Sequence, residues 1–137
     1  MNLTKSRSNV RSILESNGMT WHETGDDLVL RFASALVTIS FREWGSQSLV
    51  ELRSKVLRGI SATSEDVLRT VNELNCEEVF GRWVYYADEA LLTLEYDMLG
   101  DHLQEPELMA AFTSIAQIAD HYDDVLRSSL GGHRGID

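Results

Sequence analysis

The sequence predicts a single α+β domain in which a mostly antiparallel sheet carries helices packed on one face. Short segments of alternating apolar and polar residues are separated by turns, as in antiparallel strands. Helical patterns lie before, between and after these segments. The 137 residues, 43% hydrophobic and 25% charged, suit one globular domain. The predicted order is helix, four strands, helix, two-stranded hairpin and long helix, with the domain over 1–132 and a flexible tail at 133–137.

The first half of the chain predicts a helix and then four strands. The helix covers 3–17, because apolar residues recur along one side and Gly18 suits a left-handed cap. The predicted strands cover 19–23, 28–32, 35–42 and 49–57. Side chains predicted to point inward are Leu28, Leu30, Phe32, Val37, Ile39 and Phe41. Trp44, in a predicted loop at 44–48, is either an exposed contact residue or a lid over the core.

The second half predicts a helix, a hairpin and a long helix. Thr63 followed by Asp66 resembles a capping signal for a helix that runs to about Cys76. The hairpin strands cover 82–86 and 91–96, and its predicted core face consists of Trp83, Tyr85, Leu92, Leu94 and Tyr96. Pro106 suits the first turn of the last helix, which ends near Gly131–Gly132. The apolar stripe of this helix consists of Leu108, Phe112, Ile115, Ala119, Tyr122 and Leu126.

Charge and hydropathy exclude several classes of partner and location. A formal net charge of −10 argues against nucleic acid and against anionic membranes. No apolar run approaches the roughly 18 residues needed to span a bilayer, and the start of the chain lacks the apolar middle of a signal peptide. We therefore expect a cytoplasmic protein. The single cysteine, Cys76, excludes an internal disulfide, and the adjacent glutamates predict an inert thiol.

No catalytic motif is apparent, so the sequence predicts a protein that is not an enzyme and needs no cofactor. The serines lie in no nucleophile-elbow pattern, and no glycine-rich loop opens a helix. Asp120, His121 and Asp124 lie within about one helical turn of one another and would suit a divalent ion if other ligands joined them. The alternative, which we favour, is a solvated acidic face without metal. Asp97, Asp101 and His102 form a second acidic cluster, but nothing selects two particular acids for paired-carboxylate catalysis.

The outward positions of the predicted strands combine basic and apolar side chains, although the protein as a whole is acidic. Such a face suits a partner chain with apolar side chains and some carboxylates. The candidate partner-binding residues are Arg31, Arg53, Lys55, Arg82, Val84, Tyr86 and Leu91. The alternative is an ordinary solvated sheet surface, in which Arg82 and Glu95 simply pair across strands.

Several segments together resemble the YbjN-like family, which is related in fold to type III secretion chaperones. The chain is most similar to its actinobacterial, peptide-binding chaperone-like members. The resemblance covers roughly 3–132, and the segments that carry it are 71–75, 82–85, 90–97, 118–126 and 130–132. It implies a non-enzymatic α+β protein that binds another polypeptide, often as a dimer, and some members are described as regulators of sensory transduction. The family offers no catalytic residues to transfer.

Three hypotheses follow for the function. The first is capture of a partly extended protein or peptide client, either on the outward sheet face or by addition of a strand at a sheet edge. It predicts that Arg53→Glu combined with Arg82→Glu weakens binding while thermal stability stays nearly unchanged. The second is a self-associating regulatory homodimer without a client. The third, which we rank last, is a metal-dependent enzyme that divalent ions would stabilise thermally.

Overall fold

The computed structural model describes residues 3–137 and confirms the predicted α+β class and order of elements. Its helices are α1 Leu3–Ser16, α2 Ser64–Glu77 and α3 Glu105–Leu130. Its strands are β1 His22–Thr24, β2 Asp27–Phe32, β3 Ala35–Trp44, β4 Gln47–Arg58, β5 Arg82–Tyr86, β6 Leu91–Leu99 and β7 His133–Arg134. A short 3-10 helix, Ala87–Glu89, forms the turn of the β5–β6 hairpin, which Ala90 completes in a left-handed conformation.

The strands form one antiparallel sheet in the order β1-β2-β3-β4-β6-β5. The first four strands follow one another as hairpins. The chain then crosses through α2 to β5 at the edge and returns along β6 to the centre beside β4. Because β4 and β6 pair from Leu49↔Leu99 to Leu57↔Leu92, the two halves of the chain share a long central interface.

The two hairpins that join β2, β3 and β4 each turn through only two residues, which sets the register of these strands. The pair Trp44↔Gln47 encloses one turn, so the predicted loop at 44–48 is shorter than expected. Ala33–Ser34 forms the other turn, and Ala33 adopts a positive φ of 49° without being glycine. A tertiary contact stabilises this turn, since Asp120 on α3 accepts hydrogen bonds from the backbone N–H of Ser34 at 2.9 Å and from its hydroxyl at 2.5 Å.

The core lies between the helices and one face of the sheet. The predicted core residues of the hairpin largely agree with the structure, with Trp83, Leu92 and Leu94 buried and Tyr85 and Tyr96 half-buried. The predicted stripe of α3 is buried except at Tyr122, whose half-buried ring meets the Trp83 ring edge-on at 5.7 Å. Phe32, predicted to point inward, is 36% exposed because it lies at the end of β2 beside the turn. Burial of each large apolar side chain contributes about 1.5–3 kcal/mol to the free energy of unfolding.

The last residues of the chain return to the sheet, whereas the sequence predicts a flexible tail there. Gly131 and Gly132 adopt positive φ angles and reverse the chain after α3. His133 and Arg134 then pair with Arg58 and Leu57 as β7, and the N–H of Gly135 donates to the carbonyl of Val56 at 2.9 Å. Patterning could not predict this strand, because its two residues are too few to show alternation.

Candidate functional site

The candidate residues occupy the sheet face opposite the core, which we call the open face. The sheet register places the alternating, non-core side chains of β2 to β6 on this face. The open face consists of Asp27, Val29, Arg31, Leu36, Thr38, Ser40, Arg42, Trp44, Gln47, Leu49, Glu51, Arg53, Lys55, Arg82, Val84, Tyr86, Leu91, Thr93, Glu95, Asp97 and Leu99. The structure therefore brings all the predicted candidates onto one side of the sheet.

A row of three charged residues crosses β4, β6 and β5 on the open face. Arg53 on β4 and Arg82 on β5 are both register partners of Glu95 on β6. Arg53 contacts Glu95 through Nε at 3.2 Å from Oε2 and through Nη2 at 3.4 Å from Oε1. Arg82 places Nη2 3.4 Å from Glu95 Oε1 and 3.2 Å from Asp97 Oδ2. Two guanidinium groups thus converge on one carboxylate.

Glu95 is almost completely buried, at 2% exposure, although it lies on the open face. Its Oε2 also accepts hydrogen bonds from the Tyr86 hydroxyl at 2.6 Å and the Thr93 hydroxyl at 2.7 Å. Burial alone would raise the pKa of the Glu95 carboxyl, but hydrogen bonds from Thr93 and Tyr86 and the attraction of Arg53 lower it. Conversely, the bond to Glu95 raises the pKa of the Tyr86 hydroxyl. Glu95 is therefore ionised at neutral pH.

This arrangement confirms the predicted pairing of Arg82 with Glu95 and adds Arg53 to it. Burial alone would lower the pKa of Arg53, but the attraction of Glu95 outweighs it and the pKa is raised. A double change to Arg53→Glu and Arg82→Glu would place three carboxylates side by side, one of them buried. We therefore revise the expectation of nearly unchanged stability, because a buried charge without a partner is strongly destabilising.

The other candidates differ in what they offer a partner. Arg31 is exposed, and its Nε donates to the nearby carbonyl of Ala33 at 3.1 Å. Lys55 is exposed and lies opposite Thr93, one step along the sheet from the charged row. Val84 and Tyr86 are half-buried and present part of their apolar surface. Leu91 is only 9% exposed, so it adds little contact area.

The sequence interpretation missed an apolar group at one end of the open face. Leu99 is 54% exposed, and its partner Leu49 lies between it and Arg42. Trp44 is 59% exposed and lies two residues beyond Arg42 on the same side of β3, so it is exposed and is not a lid over the core. Extending the alternation of β3 by two residues would have placed Trp44 on the open face, but the predicted loop ended the pattern too early.

The two acidic clusters do not converge on a common point. The carboxylate of Asp120 accepts hydrogen bonds from Ser34, which lower the pKa of Asp120. Asp124 forms an ion pair with Arg127 at 3.2 Å. The ring of His121 packs against Tyr122. Within residues 3–137, no group of three or more His, Cys, Asp or Glu side chains could hold a metal ion.

The acids of the second cluster also have separate partners. Asp97 pairs with Arg82, and His102 is exposed. Asp101 accepts a hydrogen bond from the Ser48 hydroxyl at 2.6 Å, which lowers its pKa. Ser48 Oγ in turn lies 2.6 Å from Ser6 Oγ. These contacts attach the end of β6 to α1.

Comparison with known proteins places the chain in a family. The model of the family described as T3SS (YopN, CesT) and YbjN peptide-binding chaperone 1 matches residues 6–137. The chain belongs to this family. Membership confirms the resemblance that the hairpin and the last helix predict. No curated protein sequence matches the chain significantly.

Solved structures with the same fold include two complexes and a single protein. The ExsC–ExsE complex matches with a TM-score of 0.65 and 13% identity, over 90% of this chain and 95% of that chain. The HopA1–SchA chaperone–effector complex matches with a TM-score of 0.63 and 8% identity, over 90% and 98%. YbjN from E. coli matches with a TM-score of 0.56 and 13% identity, over 88% and 92%. At these identities the likeness establishes the fold alone. Separately, no helix in the described part of the chain is long and apolar enough to cross a membrane.

Proposed function

We propose that the protein is a non-enzymatic, chaperone-like or regulatory module that binds an extended segment of a partner polypeptide on the open face. Membership of a family described as peptide-binding chaperones supports this function. Two proteins of the same fold were solved with a bound partner, one of them as a chaperone–effector complex. Fold alone does not determine function, so the surface chemistry of this chain must carry the proposal.

The observation that carries the proposal is the distribution of charge. The chain has 12 Lys and Arg against 22 Asp and Glu, yet basic side chains outnumber carboxylates on the open face. The basic side chains are Arg31, Arg42, Arg53, Lys55 and Arg82, and the carboxylates are Asp27, Glu51, Glu95 and Asp97. Partly exposed apolar side chains lie among them. A peptide that combines apolar and acidic residues complements this surface.

Strand addition at a sheet edge is the second route, and we favour β3 over β5 for it. At β5, the side chain of Asn75 on α2 bonds both the N–H and the carbonyl of Trp83, at 2.7 and 3.0 Å. On the side of the sheet away from β5, the pairing of β2 with β3 stops at Leu28↔Ile39, while β3 continues to Trp44. Among the residues that the structure describes, the last residues of β3 therefore have no strand beside them on the β2 side. Because backbone groups alternate along an antiparallel strand, those of Phe41 and Glu43 point away from β4. That segment, beside exposed Trp44, is where we place strand addition.

Selection and cross-linking test the proposal together. Random peptides of about ten residues are selected for binding to the immobilised protein. An extended peptide rises about 3.3 Å per residue, so this length is enough to cross the sheet. The selected peptides are then cross-linked to variants that carry p-benzoylphenylalanine in place of Val84 on the open face, Glu43 at the β3 edge, or Leu68. Leu68 is the control, because it is apolar and 55% exposed but lies on α2.

Peptide adducts at position 84 support binding on the open face, and adducts at position 43 alone support strand addition at β3. Adducts at position 68 that equal those at 84 would refute the assigned surface. If no peptide is enriched over the bare support, peptide binding itself is wrong. Adducts between two copies of the chain, formed without peptide at position 84, would favour the self-associating homodimer instead.

A further inference from the structure

We infer that Arg53 and Arg82, held in place by buried Glu95, form a receptor for one carboxylate side chain of the partner. This inference rests on the proposed function and names the chemistry that the open face recognises. The receptor is the row Arg53–Glu95–Arg82, where three adjacent strands place one residue each on the same line.

Both arginines keep hydrogen-bond donors that are unused by the chain itself. Among the described residues, Arg53 directs Nε and Nη2 to Glu95, and Arg82 directs Nη2 to Glu95 and Asp97. Nη1 of each guanidinium, and Nε of Arg82, make no such bond. The side chains are 47% and 53% exposed, so these donors can reach a ligand. A planar guanidinium with free donors is well suited to bind a carboxylate.

Glu95 fixes the two arginines before any partner arrives. Its side chain is 3% exposed, and the hydroxyls of Tyr86 and Thr93 hold its Oε2 from the other directions. A long arginine side chain normally loses rotamer freedom when it binds a ligand. Here folding has already restricted that freedom, so association costs less. Glu95 therefore acts as a positioning residue and does not itself contact the partner.

The local charge selects a single carboxylate over a more highly charged anion. Arg53, Arg82 and the neighbouring Lys55 carry three positive charges, whereas Glu95 and Asp97 carry two negative charges. One positive charge remains, which one carboxylate neutralises. The net charge of −10 on the whole protein repels an anion that carries more than one negative charge. Val84 and the ring of Tyr86 lie beside the row, so the matching segment has an acidic residue next to apolar ones.

The composition of the selected peptides tests the inference. We expect Asp or Glu to be enriched beside apolar residues, and a selected peptide in which that acid becomes Gln or Asn to bind at least about tenfold more weakly. Arg82→Gln should abolish this difference between the two peptides. Arg69→Gln, a matched change in an α2 residue paired with Glu65 and Asp66, should preserve it.

The outcomes separate this inference from the proposed function. If peptides are selected without acidic enrichment, or if Arg82→Gln keeps the difference, the receptor is wrong while peptide binding stands. If no peptide is selected, the proposed function fails and the receptor fails with it. Should Arg82→Gln unfold, Arg82→Lys keeps the charge beside Glu95 but lacks the fork of donors. We expect it to reduce the difference, and an unchanged difference would refute the receptor.

Discussion

Arg53 and Glu95 face each other across β4 and β6, with Nε of the guanidinium 3.2 Å from Oε2 of a carboxylate that is only 2% exposed. A buried carboxylate is tolerated when charged and polar donors surround it. Arg82, Tyr86 and Thr93 supply the remaining donors. The row Arg53–Glu95–Arg82 therefore both stabilises the fold and forms the proposed binding site, and experiments must separate these two roles.

We expect Glu95→Gln to lower the free energy of unfolding by about 1–3 kcal/mol, because it removes charge-assisted hydrogen bonds from a buried position. Chemical denaturation measures this change. Glu51→Gln is a control on the same face, since Glu51 also pairs with an arginine, Arg42, but its side chain is 13% exposed. An effect of Glu95→Gln no larger than that of Glu51→Gln would contradict the assigned role of Glu95.

The stability of the protein should depend on pH through Glu95. Its pKa in the folded protein lies below the ordinary value of 4.5. Such a group stabilises the fold fully above its unfolded pKa, and the contribution is lost as pH falls through the folded pKa. Thermal unfolding should therefore show a loss of stability below about pH 4.5 that is smaller in Glu95→Gln. Parallel pH profiles for the two proteins would show that Glu95 titrates normally.

Asn75→Ala should destabilise the fold by about 1–2 kcal/mol and expose the edge of β5. The change removes both hydrogen bonds to the Trp83 backbone, so we also expect concentration-dependent self-association in sedimentation experiments. Asn72→Ala is the matched control, because Asn72 is exposed on the same helix. Both substitutions raise the helix propensity by the same amount. Equal melting temperatures for the two variants would show that Asn75 does not protect the edge.

Ser34→Ala should weaken the attachment of the β2–β3 turn to α3, because it removes the hydroxyl that contacts Asp120 and Asp123. The Ser34 hydroxyl contacts the carboxylates of Asp120 and Asp123, and Asp123 is only 3% exposed. Loss of that contact leaves a buried carboxylate with fewer donors, which costs about 1–3 kcal/mol in unfolding free energy. Ser8→Ala, on the exposed side of α1, is the control for denaturation measurements. Identical unfolding midpoints would contradict the contact.

Gly132→Ala should displace β7. Gly132 has a φ of +86°, and an added Cβ would lie 2.5 Å from the carbonyl oxygen of Arg58. Gly18→Ala is matched, because Gly18 has a φ of +67° but nothing lies within 4 Å of its Cβ position. Both variants carry backbone strain of about 1–3 kcal/mol. Only Gly132→Ala should speed amide hydrogen exchange of β7 and of Gly135. Exchange at Gly135 as slow in this variant as in the unchanged protein would contradict the predicted displacement of β7.

Hairpin and helix patterns in the sequence were sufficient to predict the order of elements. Alternation of Trp83, Tyr85, Leu92 and Leu94 predicted the core face of the hairpin correctly, because a sheet with one buried face repeats every two residues. The long helix after Pro106 followed from its apolar stripe in the same way. These signals are local, so they are present in the amino-acid sequence itself.

The tertiary structure decided what local patterns do not contain. Pairing of β4 with β6 joins segments about forty residues apart and places Arg53 and Arg82 on the two sides of Glu95. The sequence by itself determined the α+β class, the order of elements and which strand residues share a face. Only the fold decided that Glu95 is buried, that Asn75 covers the β5 edge and that the last residues join the sheet, because each depends on which distant segments become neighbours.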